Sequence, residues 1–456
     1  MVAVAAALAA VATAARAGEV LRGVCEPGLV ESWRDGGPAV VAEFADDLGA
    51  EVVRVNVCWS DAEQAPGVYD EDYIGGAVSA VAETRARGMQ ALVVVWETPR
   101  WASDRALWGR PAPGDEAGVY HTYYPPALDS LDELQDFMRE LAGRMQGQVL
   151  AYSCWVEPNL WTYLYPQRTA DDAAFAARRY ARMLAAFWRG VRAGDPAAAV
   201  VAGETAPTGD DSRLRTSPER FARQLARQGA GQFFDVYAHH PYPTAGNPRI
   251  KPSALPRDPD HTVWLANLGR LLRVFPGKPF YLTEFAYATS YSLLFGVWVS
   301  EPRQAAYLRE AFKVAARYDR VRMLVWFPRA DWSATGSYDD RLGHYCGLVR
   351  LDARRKRAYY AFAGGNQLTL DDPGRVPRGG VVRLRGTLSS ARLGTLPGKD
   401  LEVLARRPGH SWVVVAHVRT RDAGTYSVGL RTWASAQWKV RWRGVVASPR
   451  RWVLVD

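Results

Sequence analysis

The chain has 456 residues, of which 48% are apolar and 23% are charged, and its formal net charge is +9. This composition is ordinary for a globular protein, so it excludes long disordered tracts. The length allows one large domain with a small companion. Beyond the N-terminus, no stretch reaches the roughly 18 uncharged apolar residues that a membrane helix requires, so no membrane span is predicted.

The first 17 residues are nearly all Ala and Val and end in Ala15-Arg16-Ala17. An apolar segment followed by a small-x-small site is typical of an export signal that is later removed. We therefore expect residues 1–17 to direct secretion. Because the segment lacks the usual basic residue at its start, an uncleaved segment or a misassigned start is the alternative.

Strand-like apolar segments alternate with amphipathic helical stretches over residues 20–364. The strand-like segments cover residues 20–25, 52–57, 90–96, 149–155, 199–203, 233–239, 280–284 and 322–327. The helical stretches cover residues 39–48, 70–87, 131–145, 172–193, 218–228, 261–274, 303–318 and 354–363. This alternation requires parallel strand pairing with helical crossovers. Eight units favour a closed (β/α)8 TIM barrel, an α/β fold, over an open sheet.

The pattern changes to alternating apolar and polar residues after a turn at Asp371-Asp-Pro-Gly. Six strand-like segments cover residues 381–385, 401–405, 412–416, 426–430, 438–442 and 451–455. Short strands at this spacing predict a small all-β, Ig-like sandwich. We therefore expect a barrel domain over residues 18–365 and an accessory sandwich domain over residues 371–456.

The basic character of the chain belongs to this second domain, since residues 366–456 hold 16 of the 57 Lys and Arg but only 6 of the 48 Asp and Glu. A solvated, Arg-rich surface explains this excess, and attraction to an anionic cell surface or acidic polysaccharide is the alternative. Basic and aromatic residues interleave over residues 438–442, but alternating strand faces explain that pattern. No nucleic-acid partner is therefore predicted.

Four cysteines, Cys25, Cys58, Cys154 and Cys346, are too few to make a disulfide framework in a chain of this length. Three of them fall in or just after predicted strands, where buried apolar residues belong. A Cys25–Cys58 bridge between neighbouring strands is the alternative. No Cys-x-x-Cys motif or His/Cys cluster indicates a metal, and we expect neither a metal nor a cofactor.

Two glutamates occupy unusual positions at the ends of predicted strands. Glu157 follows the fourth strand and Glu284 ends the seventh. In a (β/α)8 barrel the C-terminal ends of the strands form the active site, so these carboxylates should face one cavity. Two carboxylates on either side of one bond are the minimal equipment for cleaving a glycosidic linkage.

The segments around these glutamates resemble clan A glycoside hydrolases, most closely family 39 and its relatives. Residues 155–160, Trp-Val-Glu-Pro-Asn-Leu, are similar to the Trp-Asn-Glu-Pro-Asn-Leu acid/base motif of that group. Residues 281–285, Tyr-Leu-Thr-Glu-Phe, are similar to its nucleophile motif. Further matches in order and spacing are Val53-Arg54-Val-Asn, Trp59-Ser, Pro66-Gly-Val-Tyr, Thr98-Pro-Arg-Trp101 and His240-Pro-Tyr242, so the resemblance covers roughly residues 20–365.

The resemblance implies a retaining mechanism in which Glu284 attacks the anomeric carbon and Glu157 acts first as acid and then as base. Such carboxyl groups lie about 5–5.5 Å apart. Arg54 and Tyr242 would both bind the Glu284 carboxylate, and His240 would contact a substrate hydroxyl.

The predicted substrate-binding residues are Arg54, Trp101, Val156, Asn159, His240, Tyr242 and Trp326, the last as an apolar floor beneath a sugar ring. The loops after the third and fourth strands are rich in aromatic residues, which stack on the faces of sugars. Additional candidates in the loops at the barrel mouth are Glu97, His121, Trp161, Trp298 and Trp332.

One departure from the motif is Val156, which stands where the family has an Asn that contacts the sugar 2-hydroxyl. That contact strengthens in the transition state, so its loss predicts a sugar that is substituted, deoxy or differently oriented at position 2. The sequence as a whole predicts a secreted retaining glycoside hydrolase that acts on an oligosaccharide, a polysaccharide or a glycoside. An endo-acting hydrolase of an extracellular polysaccharide and a non-catalytic glycan-binding barrel are the alternatives.

Overall fold

The structure is a computed structural model that describes residues 20–108, 121–243, 250–295, 298–364, 366–390, 394–442 and 446–456, with the backbone alone at 121, 366 and 367. The chain forms two compact units, one of residues up to 45 and 50–354, and one of residues 46–49 and 355–456. None of the helices in the described ranges combines the length and the apolar character of a membrane span. The expected export segment, residues 1–17, lies outside the described residues.

Eight parallel strands close into a barrel in the first unit. They are β1 (Leu21–Cys25), β2 (Val52–Cys58), β3 (Gln90–Trp96), β4 (Val149–Cys154), β5 (Ala199–Thr205), β6 (Val236–His239), β7 (Phe280–Phe285) and β8 (Val321–Trp326). Each strand pairs with the next one along the chain, and β8 pairs with β1 to close the ring. The (β/α)8 barrel predicted from the sequence is therefore confirmed.

Apolar, largely β-branched residues form these strands because a barrel of parallel strands is covered on both faces. In β2, for example, Val53 and Val55 are fully buried. One apolar cluster fills the barrel interior with side chains from all eight strands, among them Val52, Leu92 and Val201. This packed interior leaves the chemistry to the strand ends.

Helices follow the strands and include one, α9, that belongs to the second unit. They are α1 (Gly37–Glu43), α2 (Trp59–Ala62), α3 (Glu71–Ala86), α4 (Leu131–Arg144), α5 (Phe175–Gly194), α6 (Pro218–Arg227), α7 (Gly269–Leu272), α8 (Glu301–Ala315) and α9 (Arg357–Phe362). The Asp70 side chain caps α3 by accepting a hydrogen bond from the backbone N–H of Tyr73 at 2.9 Å. Glycine lets α5 approach α4 closely, since a Cβ at Gly190 would lie 2.3 Å from the carbonyl oxygen of Gln135.

The predicted helix over residues 261–274 is wrong in its first half. Only a short 3-10 turn at Leu265–Asn267 and the single turn of α7 are helical there. The backbone before that turn is bonded elsewhere, because the N–H of Val263 donates to the carbonyl of Pro207 at 2.8 Å. Tertiary hydrogen bonds therefore satisfy the backbone that the apolar spacing assigned to a helix.

The second unit contains two sheets whose strands pair mostly antiparallel. The strands are β9 (Asn366–Leu368), β10 (Arg375–Val376), β11 (Val381–Ser390), β12 (Gly394–Thr395), β13 (Asp400–Arg406), β14 (Val413–Arg419), β15 (Thr425–Arg431), β16 (Ala436–Trp442), β17 (Val446–Ala447) and β18 (Arg451–Val455). One sheet combines β9, β11, β12 and β15, and the other combines the remaining six. Buried and exposed residues alternate along β11, as a half-buried strand requires. Leu384 and Val403, from the two sheets, share one apolar core, which confirms the all-β sandwich.

All four cysteines are buried and none of them forms a disulfide bond, so the alternative of a Cys25–Cys58 bridge is wrong. Burial raises the pKa of the Cys25 thiol to about 12. Because the thiolate is the reactive form, this thiol is unreactive at neutral pH. Cys25 is therefore a packing residue of the barrel interior.

Candidate active site

Three of the glutamates near the C-terminal ends of barrel strands share hydrogen-bond and ion-pair partners. Glu157 comes shortly after β4, while Glu204 and Glu284 are the penultimate residues of β5 and β7. The side chains of Glu157 and Glu284 are 14% and 11% exposed, whereas Glu204 has no exposed surface. Two of the three carboxylates can therefore meet a ligand.

The backbone at these strand ends adopts left-handed conformations that residues with a Cβ rarely adopt. The φ angle is 65° at Glu97, 71° at Trp155, 38° at Glu157 and 46° at Glu204. The N–H of Glu157 donates to the carbonyl of Glu204 at 3.0 Å, which joins the ends of β4 and β5. Such conformations cost on the order of 1–3 kcal/mol each and concentrate at functional sites. This strain indicates function at the barrel mouth independently of residue type.

The carboxylate of Glu284 is held by two neighbours. Nη1 of Arg54, in β2, lies 3.0 Å from its Oε1, and the hydroxyl of Tyr242 donates to its Oε2 at 3.0 Å. Both contacts expected from the sequence are thus present. A charge-assisted pair on one oxygen and a hydroxyl donor on the other fix the orientation of this carboxylate.

Glu157 has a different environment. Nδ1 of His240 lies 2.9 Å from Oε1 of Glu157 and 3.7 Å from Oε2 of Glu284. Burial raises the pKa of Glu157, and the hydrogen bond and charge of His240 oppose this shift only in part. A carboxyl group with a raised pKa keeps its proton closer to neutral pH, as a general acid must.

The two partly exposed carboxylates lie close together. One oxygen of Glu157, one oxygen of Glu284 and a ring nitrogen of His240 are all within 4.8 Å of one another. The catalytic carboxyl groups of retaining glycosidases lie about 5–5.5 Å apart, so the spacing fits that chemistry. These atoms could also surround a metal ion, but both ring nitrogens of His240 face carboxylates, and a protonated ring has no lone pair to offer a metal.

His240 is a buried cation that joins two carboxylates. Burial alone would lower its pKa, but the charge of Glu284 and the hydrogen bonds with Glu157 and Glu204 raise it to about 10. The ring is therefore doubly protonated at neutral pH and donates on both sides. Its side chain has no exposed surface, so the predicted contact with a substrate hydroxyl is wrong.

Glu204 is a residue of this site that the sequence-based prediction did not include. Its carboxylate accepts from Oγ of Ser153 and from Nη2 of Arg54, both at 2.9 Å, and lies 3.2 Å from Nε2 of His240. Burial alone would raise the pKa of Glu204, but Arg54 and His240 lower it to about 2. The strand-end rule that identified Glu157 would also have found Glu204, which directly follows the predicted fifth strand.

Three other predicted substrate-binding residues are packed into the protein. Trp326 is fully buried, and its Nε1 donates to the carbonyl of Cys346 at 3.0 Å. Asn159 is also fully buried, and its side-chain oxygen accepts from the N–H of Ala206 at 2.8 Å. Val156 joins the apolar barrel interior and is 7% exposed. The predicted substrate contacts of Trp326 and Asn159 are therefore wrong, because neither side chain reaches the surface.

The aromatic candidates at the mouth divide into exposed and packed residues. Trp298 and Trp332 are 39% and 55% exposed. Trp101 is half-buried and donates from Nε1 to the carbonyl of Glu63 at 3.0 Å. Trp161 is half-buried against a small aromatic cluster. Trp298 and Trp332 therefore have the most surface available for stacking on a sugar ring.

The remaining polar candidates lie near the same mouth. Glu97 directly follows β3, and burial raises its pKa. His121 opens a short 3-10 turn, and its side chain lies outside the described residues. Tyr163 was not predicted, but burial and then the charges of Glu157 and Glu284 raise its pKa.

No protein-family model and no curated protein matches the chain. A family 39 glycoside hydrolase from the gut symbiont Bacteroides cellulosilyticus has 17% identity over 90% of this chain and 79% of its own, with a TM-score of 0.51. A family 39 enzyme from Xanthomonas axonopodis pv. citri has 15% identity over 91% of this chain and 92% of its own, with a TM-score of 0.52. A family 5, subfamily 18 protein from Streptomyces cattleya, solved in complex with GlcNAc, has 15% identity over 76% of this chain and 80% of its own, with a TM-score of 0.54. At these identities the likeness establishes a shared fold, and function has to be inferred from the site.

Proposed function

We propose that the chain is a retaining glycoside hydrolase with Glu284 as nucleophile and Glu157 as acid and base. The proposal rests on two partly exposed carboxylates, with one oxygen of each within 4.8 Å of the other, in contrasting environments. Glu284 is fixed by Arg54 and Tyr242, while burial raises the pKa of Glu157. Contrasting environments are what divide the roles of nucleophile and acid between two carboxyl groups.

The mechanism has two steps. Glu284 first attacks the anomeric carbon, the bond to the leaving oxygen breaks, and Glu157 gives its proton to that oxygen. Glu157, now a carboxylate, then takes a proton from water, the water oxygen attacks the same carbon, and the bond to Glu284 breaks. His240 donates a hydrogen bond to the Glu157 anion that exists between the two steps.

The test compares two isosteric variants on aryl glycosides with different leaving groups. Glu284→Gln removes the nucleophile, so turnover should fall to background with every substrate. Glu157→Gln removes proton transfer, which contributes about 10²–10⁴-fold, so kcat/KM should fall strongly with a phenyl leaving group and only slightly with dinitrophenyl. The kcat should fall with both substrates, because the second step loses its base. Arg383→Gln, at an exposed position in the second unit, is the control.

Two outcomes would contradict the proposal. Unchanged turnover in Glu284→Gln would remove this residue as the nucleophile. A wild-type protein that binds glycans but cleaves none would support the non-catalytic glycan-binding barrel instead.

We extend the proposal to a secreted enzyme whose sugar is atypical at position 2. Val156 cannot hydrogen-bond a 2-hydroxyl, and it lies directly before the proposed acid. Val156→Asn should improve turnover of 2-hydroxy substrates relative to 2-modified ones, whereas improved turnover of every substrate would contradict the extension. Mass spectrometry of the products distinguishes release of single sugars from the alternative, endo-acting cleavage of a polysaccharide.

A specific cluster in the second unit favours a second function, contact with an anionic cell-surface polysaccharide. The Trp412 ring centroid lies 4.3 Å from Nζ of Lys439, and 5.0 Å and 5.9 Å from Cζ of Arg406 and Arg450. We call these four residues the Trp412 cluster. Within the described residues, none of its three cations forms an ion pair with a carboxylate. Burial and the charges of Arg441 and Arg450 lower the pKa of Lys439, so an anionic ligand would relieve the crowding of like charges.

Binding of the full-length chain to polygalacturonate tests this second function. Joint replacement of Arg406, Lys439 and Arg450 by Gln should abolish binding at low salt. The control variant replaces three arginines of the sheet that contains β11 and β15 by Gln, so that the change in net charge is the same. These arginines are Arg383, Arg385 and Arg431. Equal losses in both triple variants would show that net charge alone, rather than the Trp412 cluster, causes attraction.

A further inference from the structure

The most informative feature outside the catalytic pair is the third carboxylate, Glu204. It is fully buried, so it cannot touch a substrate. Each neighbour that donates to it is itself buried: Ser153, Arg54 and His240. A buried carboxylate with three donors costs desolvation that only these partners offset. Glu204 must therefore act through its neighbours.

Two of these neighbours connect Glu204 to the catalytic pair. Arg54 lies 2.9 Å from Glu204 and 3.0 Å from Glu284. His240 lies 3.2 Å from Glu204 and 2.9 Å from Glu157. A single residue, Arg54, therefore links Glu204 to the proposed nucleophile, and a single residue, His240, links it to the proposed acid.

The geometry around His240 favours a ring that carries a proton on each nitrogen. Each of its ring nitrogens faces a carboxylate, and both can donate only if both carry a proton. A neutral ring that donates to Glu204 would direct its other lone pair at Glu157, which would then have to donate its proton to the ring instead of to the leaving oxygen. A buried imidazolium in turn requires a nearby anion that does not become neutral during the reaction. Glu157 cannot be that anion, because in the proposed mechanism it alternates between carboxylic acid and carboxylate.

We propose that Glu204 is the permanent counter-ion of His240: its carboxylate keeps the ring doubly protonated, and the ring then positions Glu157 through a fixed N–H donor. This inference rests on the proposed function for its catalytic meaning. His240 keeps both protons throughout, and the proton that moves is exchanged between Glu157 and the leaving oxygen or water. Glu204 is therefore a positioning residue rather than a catalytic one.

Every charged or titratable group facing His240 bears on this inference. They are Glu157 after β4, Glu204 in β5, His239 and Tyr242 at the end of β6, and Glu284 in β7, with Arg54 of β2 behind Glu204. Burial lowers the pKa of His239 to about 3, so it carries no charge near neutral pH. The positive charge of Arg54 opposes protonation of His240. The Glu204 carboxylate, in direct contact with both, supports it.

The test is NMR titration of the His240 imidazole nitrogens in the full-length chain, with the signals identified by their loss in His240→Asn. In the wild type both nitrogens should carry protons at pH 7 and titrate only near pH 10. In Glu204→Gln, which keeps the shape and removes the charge, the midpoint should fall by about one unit or more. The matched control is Glu219→Gln, the same substitution at an ion-paired glutamate of α6.

Activity gives a second measurement. Glu204→Gln should lower kcat with little change in KM, and Glu204→Asp, which retains the charge, should recover part of the kcat. A His240 ring that is neutral at pH 7 in the wild type, or an unchanged midpoint in Glu204→Gln, would overturn the inference. The wild-type titration can overturn the inference even if the variant does not fold. It is also independent of turnover, so a failure of this inference is distinguishable from a failure of the proposed function, which Glu284→Gln tests.

Discussion

The two units of the molecule organise charge in opposite ways. At the barrel mouth, Arg54 and His240 are buried cations, and each of them faces two carboxylates. In the Trp412 cluster, three cations surround one aromatic ring without a carboxylate partner among the described residues.

The difference follows from solvation. A buried ion loses its hydration, so it persists only where opposite charges and hydrogen bonds replace the water. In the Trp412 cluster Arg450 is exposed, while Arg406 and Lys439 are only partly buried, so these cations keep much of their hydration and need no carboxylate partner. The buried cations at the barrel mouth are therefore held by their carboxylate partners, whereas the cations of the Trp412 cluster remain available to an external anion.

Removal of one buried partner should produce the largest effect. Arg54→Leu leaves Glu204 buried without its main counter-ion, so the free energy of unfolding should fall by about 3–5 kcal/mol. Urea denaturation at pH 7 measures this loss. Arg383→Leu, at an exposed position of β11, is the control and should change the free energy of unfolding by less than about 0.5 kcal/mol. If Arg54→Leu and Arg383→Leu lose similar amounts of unfolding free energy, the proposed difference between buried and exposed cations of the two units is contradicted.

Loss of an uncharged hydrogen-bond donor to Glu204 should lower the free energy of unfolding by less than Arg54→Leu does. Ser153→Ala removes the hydroxyl that donates to Oε1 of Glu204 at 2.9 Å. An unsatisfied buried acceptor costs about 1–3 kcal/mol, and thermal or urea unfolding measures it. Ser153→Thr retains the hydroxyl and is the matched variant. A loss as large in Ser153→Thr as in Ser153→Ala would indicate packing rather than the hydrogen bond.

The free energy of unfolding should depend on pH because the pKa values of His240 and Glu204, at the barrel mouth, are shifted in the folded protein. The pKa of His240 is raised from 6.5 to about 10, so its contribution is complete below about pH 6.5 and is lost as the pH rises through 10. The pKa of Glu204 is lowered from 4.5 to about 2, so its contribution is present above pH 4.5 and is lost as the pH falls through 2. Urea denaturation of the wild type and of Glu204→Gln measures the free energy of unfolding across this pH range. It should change less steeply with pH in the variant. If the two proteins show the same dependence of unfolding free energy on pH, the buried pairing of His240 with Glu204 is contradicted.

Neutralisation of the Trp412 cluster should have the smallest effect on stability. Replacement of Arg406, Lys439 and Arg450 by Gln removes three like charges, so the free energy of unfolding should stay within about 0.5 kcal/mol or rise slightly at low salt. Denaturation at low and high salt measures both values. A large loss would mean that these cations contribute to the stability of the sandwich instead of remaining available for a ligand.

The sequence by itself determined the architecture and indicated the two carboxylates of the proposed catalytic pair. Eight apolar segments at barrel spacing fixed the (β/α)8 fold, and the alternating tail fixed the sandwich. Glu157 and Glu284 could be singled out because each lies at a strand end, which is the active end of this fold, and within a segment that resembles a clan A glycoside hydrolase motif. These inferences depend on periodicity and chain position, which are local properties of the sequence.

Only the tertiary structure decided which residues surround that pair. Glu204 and His240 come from neighbouring strands, and their contact depends on how the strand ends meet rather than on any local pattern. Asn159 belongs to a matching motif and Trp326 ends a barrel strand, yet their polar atoms bond to backbone groups distant in sequence. The exposure of a side chain depends on what packs over it from elsewhere in the chain. A motif can therefore indicate which residue stands at a strand end, but whether that residue meets the ligand or supports a neighbour is set by three-dimensional packing.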